Sequence, residues 1–473
     1  MRKKTLILFS SQIVNYGCSF ARNLILARLL TKADFGIAAT CSLAISLLEM
    51  SGKLGLGKQI VQSKFGEDPD FKATSQSFLL LSGLASSIIL ASIAWPFANA
   101  FGIPNAAPAL AALAIIPLLI GLSNQSVAIQ QRTYNFTPSA LCESIPQILI
   151  TAATWPMCLL LEDYRAMIAL LITKAFLSLA MTHIVSKHPF RFGWDRLFAL
   201  QMWSFGWPLI LNSFVLFAAQ QADKALVGSL LSLETLAGYS IAFTLANIPW
   251  SIYAATLSPI MLAQLSKAQG RQRSFIHKYK QFTQLSASAA ILAICPMILL
   301  GEHIVTFVYG SRYTGTGSIL SVFAIATSLR FLRLAPTAAA TARADTINYL
   351  NTNLVRSISL PLAATALLSG LGPISAAACS IIGEIASVIY SSFRLHSKQE
   401  IPLRYTLLPL VLVLGVCLIT TVTSTWPLVQ ESISIALLST AVSTTIFIGL
   451  IKLFLNDSYS LFKESFLSYV KPR

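Results

Sequence analysis

Apolar runs of about 20 residues recur from one end of this chain to the other, and lysine and arginine gather in every second gap between them. A bilayer crossing needs about 20 mostly apolar residues, and basic loops are retained on the cytoplasmic side. Spacing and charge together therefore define the crossings and their direction. Of the 34 basic residues, three (Lys32, Arg165 and Arg312) lie in odd-numbered gaps and seven lie inside apolar runs. The other 24 fall on the cytoplasmic side that the pattern defines. The pattern predicts an all-α polytopic membrane protein of about 14 transmembrane helices with both termini cytoplasmic. In round figures the spans are 6–30, 35–56, 75–99, 107–129, 138–161, 165–186, 203–231, 235–263, 283–308, 316–339, 347–370, 373–394, 404–425 and 432–455.

Composition closes off other classes. Only 11% of the 473 residues are charged and 55% are hydrophobic, whereas soluble domains carry about 25% charged residues. The net charge of +16 lies in short gaps beside apolar spans, which points to anionic lipid rather than nucleic acid as its partner. Seven cysteines form no CxxC pair and five histidines show no ligand spacing, so neither a disulfide framework nor a zinc site is expected. The Met1–Lys4 start followed by an apolar stretch mimics a signal peptide, but the stretch runs on to Leu30 without a clear small-residue cleavage site. It is expected to be retained as the first span. No gap exceeds about 20 residues, which leaves no room for a folded extramembrane domain or a large catalytic loop. No cofactor is expected, and any driving force would be a proton, a sodium ion or the membrane potential.

A short internal echo suggests duplication. Leu29-Leu30-Thr31 through Phe35-Gly36-Ile37-Ala38 matches Leu230-Leu231-Ser232 through Gly238-Tyr239, each closing an odd-numbered span and entering the next through a glycine. Six crossings separate the copies, so both halves share one orientation. This implies two six-helix lobes around a central cavity, related by an axis along the membrane normal, which is a transporter plan. The expected divisions are 1–187 for the N-lobe, 188–201 for a cytoplasmic linker and 202–395 for the C-lobe. Residues 396–473 form two extra helices and a cytoplasmic tail.

Eleven charges lie inside spans: Arg22, Arg28, Lys174, Lys224, Arg330, Arg333, Arg356, Glu49, Glu143, Asp223 and Glu384. A lone charge at the bilayer centre costs about 2.5–3.5 kcal/mol on insertion scales, so most must face water or one another. Arg28 is close enough to the outer end of its span to snorkel, and Glu143 sits near an inner end. Glu49 and Lys53 form an i, i+4 pair with the acid first. Arg22 shares a side of its span with Gln12 and Ser19, while Arg330 and Arg333 share one face of theirs. Arg356 follows Asn348, Asn351 and Asn353. Guanidinium groups match phosphate oxygens bidentately, so Arg22, Arg330, Arg333 and Arg356, with Lys174 and Lys224, are candidates to receive an anion. Mutual ion pairing with Glu384 and Asp223 is the competing reading. Those two acids are also candidates for ion coupling, and for Asp223 an internal salt bridge stands equal to it.

Several of these residues sit in motifs with a known likeness. Arg22-Asn-Leu-Ile-Leu-Ala-Arg-Leu-Leu-Thr-Lys-Ala-Asp-Phe-Gly36, Gly52-Lys-Leu-Gly-Leu-Gly57 and Gln59-Ile-Val-Gln62 resemble the start of the polysaccharide transporter family. That family belongs to the multidrug/oligosaccharidyl-lipid/polysaccharide exporter superfamily. Gln130-Gln-Arg132 through Phe136, Asp223-x3-Val-Gly228 with Ala237-Gly-Tyr239, and Phe307-Val-Tyr-Gly-Ser-Arg-Tyr313 resemble later corners of the same family. The resemblance implies a flippase that carries an undecaprenyl-diphosphate-linked oligosaccharide across the bacterial cytoplasmic membrane by alternating access, for O-antigen, capsule or exopolysaccharide synthesis. It also implies a polymerase and a chain-length regulator as candidate partners. Arg22 resembles a basic cavity position of lipid-linked peptidoglycan precursor flippases. Glu49 and Lys53 are candidates for a cytoplasmic gate, although Lys53 departs from the family pattern before Gly-Leu-Gly.

Two alternatives were weighed against this reading. A cation-coupled multidrug exporter of the same superfamily should present acids to cationic drugs, whereas basic residues outnumber acids inside these spans. A membrane glycosyl polymerase or ligase needs a long external loop that this chain lacks.

Overall fold

In a computed structural model, the backbone is described for residues 2–454 apart from 53–55, 57–58, 61–64, 67, 133–134, 136, 187–188, 344 and 427–431. Helices account for all the regular structure among these residues, with no strand. The helices α1 (Arg2–Leu29), α2 (Lys32–Gly52) and α3 (Pro69–Ala100) open the chain. A broken segment follows: a 3-10 turn (Pro104–Ala106), α4 (Ala107–Ala112), α5 (Ile115–Gly121) and α6 (Ser126–Arg132). Next come α7 (Thr137–Leu161), α8 (Arg165–Ile184), α9 (Arg196–Leu230) and α10 (Leu233–Lys267). The remainder is α11 (Gln272–Leu299), α12 (Gly301–Tyr309), α13 (Thr316–Ala342), α14 (Thr346–Arg356), α15 (Ser359–Leu368), α16 (Pro373–Gln399), α17 (Arg404–Ser424) and α18 (Ile433–Phe454).

Eight stretches among the described residues are long and apolar enough to cross a bilayer: α3, Pro104–Gly121, α7, α8, α11, α13, α16 and α17. In lipid every backbone polar group must be satisfied within the chain, which favours helix throughout. The predicted eleventh span, 347–370, is two half-helices that break at Ser357 and Ile358. Its first half, α14, is amphipathic: Asn348, Thr352, Asn353 and Arg356 are buried, while Ile347, Leu350 and Leu354 are exposed.

The packing divides into two compact units, residues 1–237 and 238–473. In the first, α9 packs along α2 and α3, so residues 202–237 associate with the first unit.

The two echoed corners are built alike. Thr31 Oγ1 accepts the backbone N–H of Asp34 at 3.1 Å, and Ser232 Oγ accepts that of Thr235 at 3.1 Å. Each hydroxyl caps the helix that follows it, α2 in one case and α10 in the other. The corners also meet: a Cβ on Gly36 would lie 2.2 Å from the carbonyl oxygen of Leu233. Only glycine tolerates that backbone approach.

In the second unit α13 is the central helix, packed by α11, α16 and α17, and most of its length is buried. Its start is fixed by Glu302, whose carboxylate accepts the backbone N–H of Gly315 at 2.7 Å and of Gly317 at 2.9 Å. An acid at a helix N-terminus satisfies orphan donors and complements the dipole. Gly315 itself is left-handed, at φ +86°. A charge on so enclosed a helix cannot reach lipid and must be matched by other side chains.

Candidate functional site: a buried arginine cluster

Arg330 and Arg333 are three residues apart on α13 and so share one face. Arg356 is the last residue of α14, and Glu384 lies on α16. The fold brings these four onto one carboxylate. Glu384 Oε1 accepts a hydrogen bond from Arg330 Nε at 2.7 Å, Arg356 Nε forms an ion pair with the same oxygen at 2.7 Å, and Oε2 lies 3.6 Å from Arg333 Nε. Side-chain exposure is 0% for Glu384, 7% for Arg330, 6% for Arg356 and 13% for Arg333. The Arg330 contact is a short charge-assisted hydrogen bond, the Arg356 contact a close ion pair, and the Arg333 contact a longer one. Of the candidate anion ligands, the second unit thus gathers Arg330, Arg333 and Arg356, and the ion pairing with Glu384 weighed from the sequence is present. One carboxylate, however, cannot balance three guanidiniums. The four groups sum to +2.

Two helical stripes hold the cluster. On α16 the polar positions Glu384, Ser387, Ser391 and Arg394 recur at three- or four-residue spacing, facing Asp345, Asn348, Thr352 and Arg356 of α14 and its cap. The stripes run antiparallel, so ion pairs close both ends. Arg356 meets Glu384 at one end, and Arg394 binds both oxygens of Asp345 at 3.2 Å at the other. Ten residues of helix at 1.5 Å rise put the two pairs about 15 Å apart. Between them Asn351 Nδ2 donates to Tyr390 Oη at 2.8 Å, and Tyr390 also accepts from Arg394 at 3.3 Å.

Close approach of the two helices depends on Gly383. A Cβ there would lie 2.5 Å from the Arg356 carbonyl oxygen and 2.9 Å from Ser359 Cβ. The glycine next to Glu384 thus sets the helix separation at which the carboxylate reaches Arg356.

Asparagines accept a hydrogen bond from one guanidinium nitrogen each of Arg330 and Arg333. Arg330 Nη1 donates to Asn247 Oδ1 at 2.9 Å, and Arg333 Nη1 donates to Asn353 Oδ1 at 3.1 Å. Arg330 also stands over the Phe243 ring, 5.6 Å from its centroid, within cation–π range. Glu384 Oε2, Asn348 Nδ2 and Asn353 Nδ2 are buried with no hydrogen-bond partner among the described residues. The site is therefore rich in donors and poor in acceptors. Asn247, Phe243, Tyr390 and the Asp345–Arg394 pair were not picked out from the sequence. The signal for Asn247 was an amide four residues after Phe243 in an otherwise apolar run.

Beyond the membrane-spanning helices, burial pushes the Asp345 carboxyl up, but hydrogen bonds and charge from Arg394, a backbone N–H from Asn348 and the charge of Lys398 outweigh it. The net result holds this acid below its ordinary range.

The other candidate residues lie in the first unit. Arg22 is buried on α1, Lys174 is half-buried on α8, and Lys224 is buried on α9 with Nζ donating to Gln221 Oε1 at 2.9 Å. Asp223 is half-buried, and its Oδ1 accepts the backbone N–H of Lys224 at 2.9 Å. Glu143 accepts a long 3.5 Å contact from Asn15, and Arg28 is exposed in the last turn of α1. The gate candidates, Lys53 and the side chain of Glu49, lie outside the described residues.

Comparison with known proteins tests the motifs. The family described as "Polysaccharide biosynthesis protein" matches residues 25–317. The chain belongs to this family. The matched stretch holds nearly every motif quoted above, and the likeness to polysaccharide transporters of the exporter superfamily is borne out. The succinoglycan biosynthesis transport protein ExoT of Rhizobium meliloti (strain 1021) is 24% identical over 322 residues. That alignment covers 67% of this chain and 64% of ExoT, so the chain spans under two thirds of its relative's length.

Among solved structures, the lipid II flippase MurJ in an inward closed conformation superposes with a TM-score of 0.72 at 18% identity, covering 96% of this chain and all of that one. An inward-facing multidrug resistance MATE family transporter gives 0.68 at 11% identity, covering 81% and 95%. These likenesses establish the all-helical fold, and the chain is a multi-pass membrane protein. The cluster at Arg330–Glu384 lies beyond the residues that the family matches.

Proposed function

We propose that this protein is a flippase moving undecaprenyl-diphosphate-linked oligosaccharide units across the bacterial cytoplasmic membrane for surface polysaccharide synthesis, by alternating access. Membership in a polysaccharide biosynthesis family and likeness to ExoT support the substrate class. The fold is shared by flippases and multidrug transporters, so fold alone does not choose between them.

The observation that carries the reading is the sign of the buried charge. A cationic drug requires an acidic site, whereas the four cluster groups sum to +2 with donors to spare. The diphosphate of a lipid-linked sugar meets that surplus; Arg22, Lys174 and Lys224 are proposed, by themselves, as basic substrate ligands of the first unit. The prenyl chain stays in lipid and the sugar in a hydrated lumen, so the protein performs no covalent chemistry. Both termini are placed in the cytoplasm by the basic-loop rule, where the basic gaps lie against anionic lipid. A polymerase and a chain-length regulator of the same pathway are proposed partners.

Cells whose only copy carries Arg330→Ala or Arg356→Ala should lose surface polysaccharide while the protein still inserts in the membrane. The measurement is polysaccharide by gel or lectin binding, with membrane level by immunoblot. Unchanged polysaccharide in both variants removes the anion reading. Efflux of a cationic dye by the wild-type protein, without polysaccharide export, would put the drug-exporter reading in its place.

A further inference from the structure

The three arginines are not equivalent. Arg330 and Arg356 each lie 2.7 Å from Glu384 Oε1, the first as a hydrogen bond and the second as an ion pair, and both are nearly sealed from solvent, with Arg330 also fixed by Asn247 and Phe243. Arg333 lies 3.6 Å from Oε2, makes no hydrogen bond to the carboxylate, and is about twice as exposed as the other two. Among the described residues Arg333 donates to Asn353, whose Nδ2 is buried without a partner there, as is Nδ2 of Asn348 on the same helix. The least committed guanidinium thus sits beside spare amide donors, while Glu384 Oε2 is a buried acceptor without a hydrogen bond among the described residues.

Charge narrows what this arrangement accepts. Three guanidiniums alone would be +3, and Glu384 reduces the group to +2. A phosphodiester carries one negative charge. A diphosphate substituted at both ends carries two, one on each phosphorus. Inorganic diphosphate carries more near neutrality. Neutralising a buried group without overshooting avoids leaving an unbalanced charge out of water, which is the costly outcome.

We propose that the cluster is selective for a doubly substituted diphosphate of charge −2, with Glu384 remaining bound, and that Arg333 is the guanidinium that makes the contact. In this division Arg330 and Arg356 are positioning residues: they pin the carboxylate and, through it, the separation of α13, α14 and α16. Arg333 swings away from Oε2 to take the phosphate oxygens, with Asn348 and Asn353 as accessory donors. The inference rests on the flippase reading, because that reading supplies the anion. It adds which residue binds, which residues only hold the site, and why one acid is retained among three bases.

The test uses the full chain purified in detergent and dimethyl diphosphate as the probe, with dimethyl phosphate and inorganic diphosphate for comparison. Affinity is read by calorimetry and thermal stability by intrinsic fluorescence. Dimethyl diphosphate should bind the wild type more tightly than either comparison anion. Arg333→Gln should weaken that binding at least about tenfold, the loss of one charge-assisted contact, with a smaller fall in thermal midpoint than Arg330→Gln. Arg333→Lys should recover part of the affinity through charge without bidentate geometry.

Wild-type binding that Arg333→Gln leaves unchanged overturns the assignment of Arg333 and leaves the flippase reading standing. An Arg333→Gln midpoint as low as that of Arg330→Gln overturns the division of roles. Equal affinity for all three anions overturns the charge selectivity. Absence of binding to the wild type removes the anion site itself, and the flippase reading loses its support with it.

Discussion

Replacing Glu384 by glutamine keeps the volume of the side chain and removes one charge, and it should be the most damaging conservative substitution in the second unit. In the wild type one carboxylate meets three guanidiniums at 2.7, 2.7 and 3.6 Å, itself 0% exposed. Removing one member of a buried ion pair costs about 3–5 kcal/mol, because the charge left behind stays out of water. Here the charge left behind is three guanidiniums on packed helices, so about 5 kcal/mol is the better end of that range. Removing an arginine instead leaves Glu384 with two partners. Arg333→Gln gives up only the longest contact and should cost about 1 kcal/mol, while Arg330→Gln and Arg356→Gln each give up a 2.7 Å contact and fall between. The assay is thermal unfolding of the purified proteins in one detergent, and the expected order of midpoints is wild type, Arg333→Gln, Arg330→Gln with Arg356→Gln, then Glu384→Gln. Pairing Glu384→Gln with Arg330→Gln should restore part of the loss, since it removes one of the stranded cations. A Glu384→Gln midpoint within a degree of wild type, or a double variant worse than the sum of its parts, would refute the electrostatic account.

Two further outcomes follow from the geometry of α14 and α16. Gly383→Ala places a methyl 2.5 Å from the Arg356 carbonyl oxygen, and a backbone shift of that kind costs about 1–3 kcal/mol. It should lower the midpoint and weaken dimethyl diphosphate binding together, although the substitution carries no charge, and an unchanged midpoint would show that the helices have slack there. For the Asp345–Arg394 pair, the folded acid titrates below its ordinary value of 3.8, so its stabilisation is full above about pH 5 and is lost as pH falls through the lower, folded value. Asp345→Asn should therefore be less stable than wild type at pH 7, with the difference shrinking below pH 3.8. A difference that stays constant across that range would mean that the aspartate acts through shape rather than charge.

Much of this protein is written in its local sequence. The apolar runs predicted helix after helix because lipid leaves the backbone no other way to satisfy its polar groups, and the described residues are helical with no strand. The echo of Thr31 and Ser232 reappears as two equivalent helix caps, since a cap involves residues only three apart. The presence of Arg330, Arg333, Arg356 and Glu384 inside spans was equally legible, because a charge in an apolar run is conspicuous by composition.

Their meeting was not. Arg330 and Glu384 are 54 positions apart, and whether they face each other depends on the rotation and separation of α13, α14 and α16. Those are fixed by contacts such as the approach of Gly383 to the Arg356 carbonyl, by the break at Ser357 that frees α14 to lie along α16, and by Asn247 arriving from α10. No periodicity within one helix encodes them. Sequence alone established a helical membrane chain of the exporter type with surplus buried positive charge. The tertiary packing decided that three of those charges share one acid, because hydrogen-bond reach is a few ångströms in space and takes no account of distance along the chain.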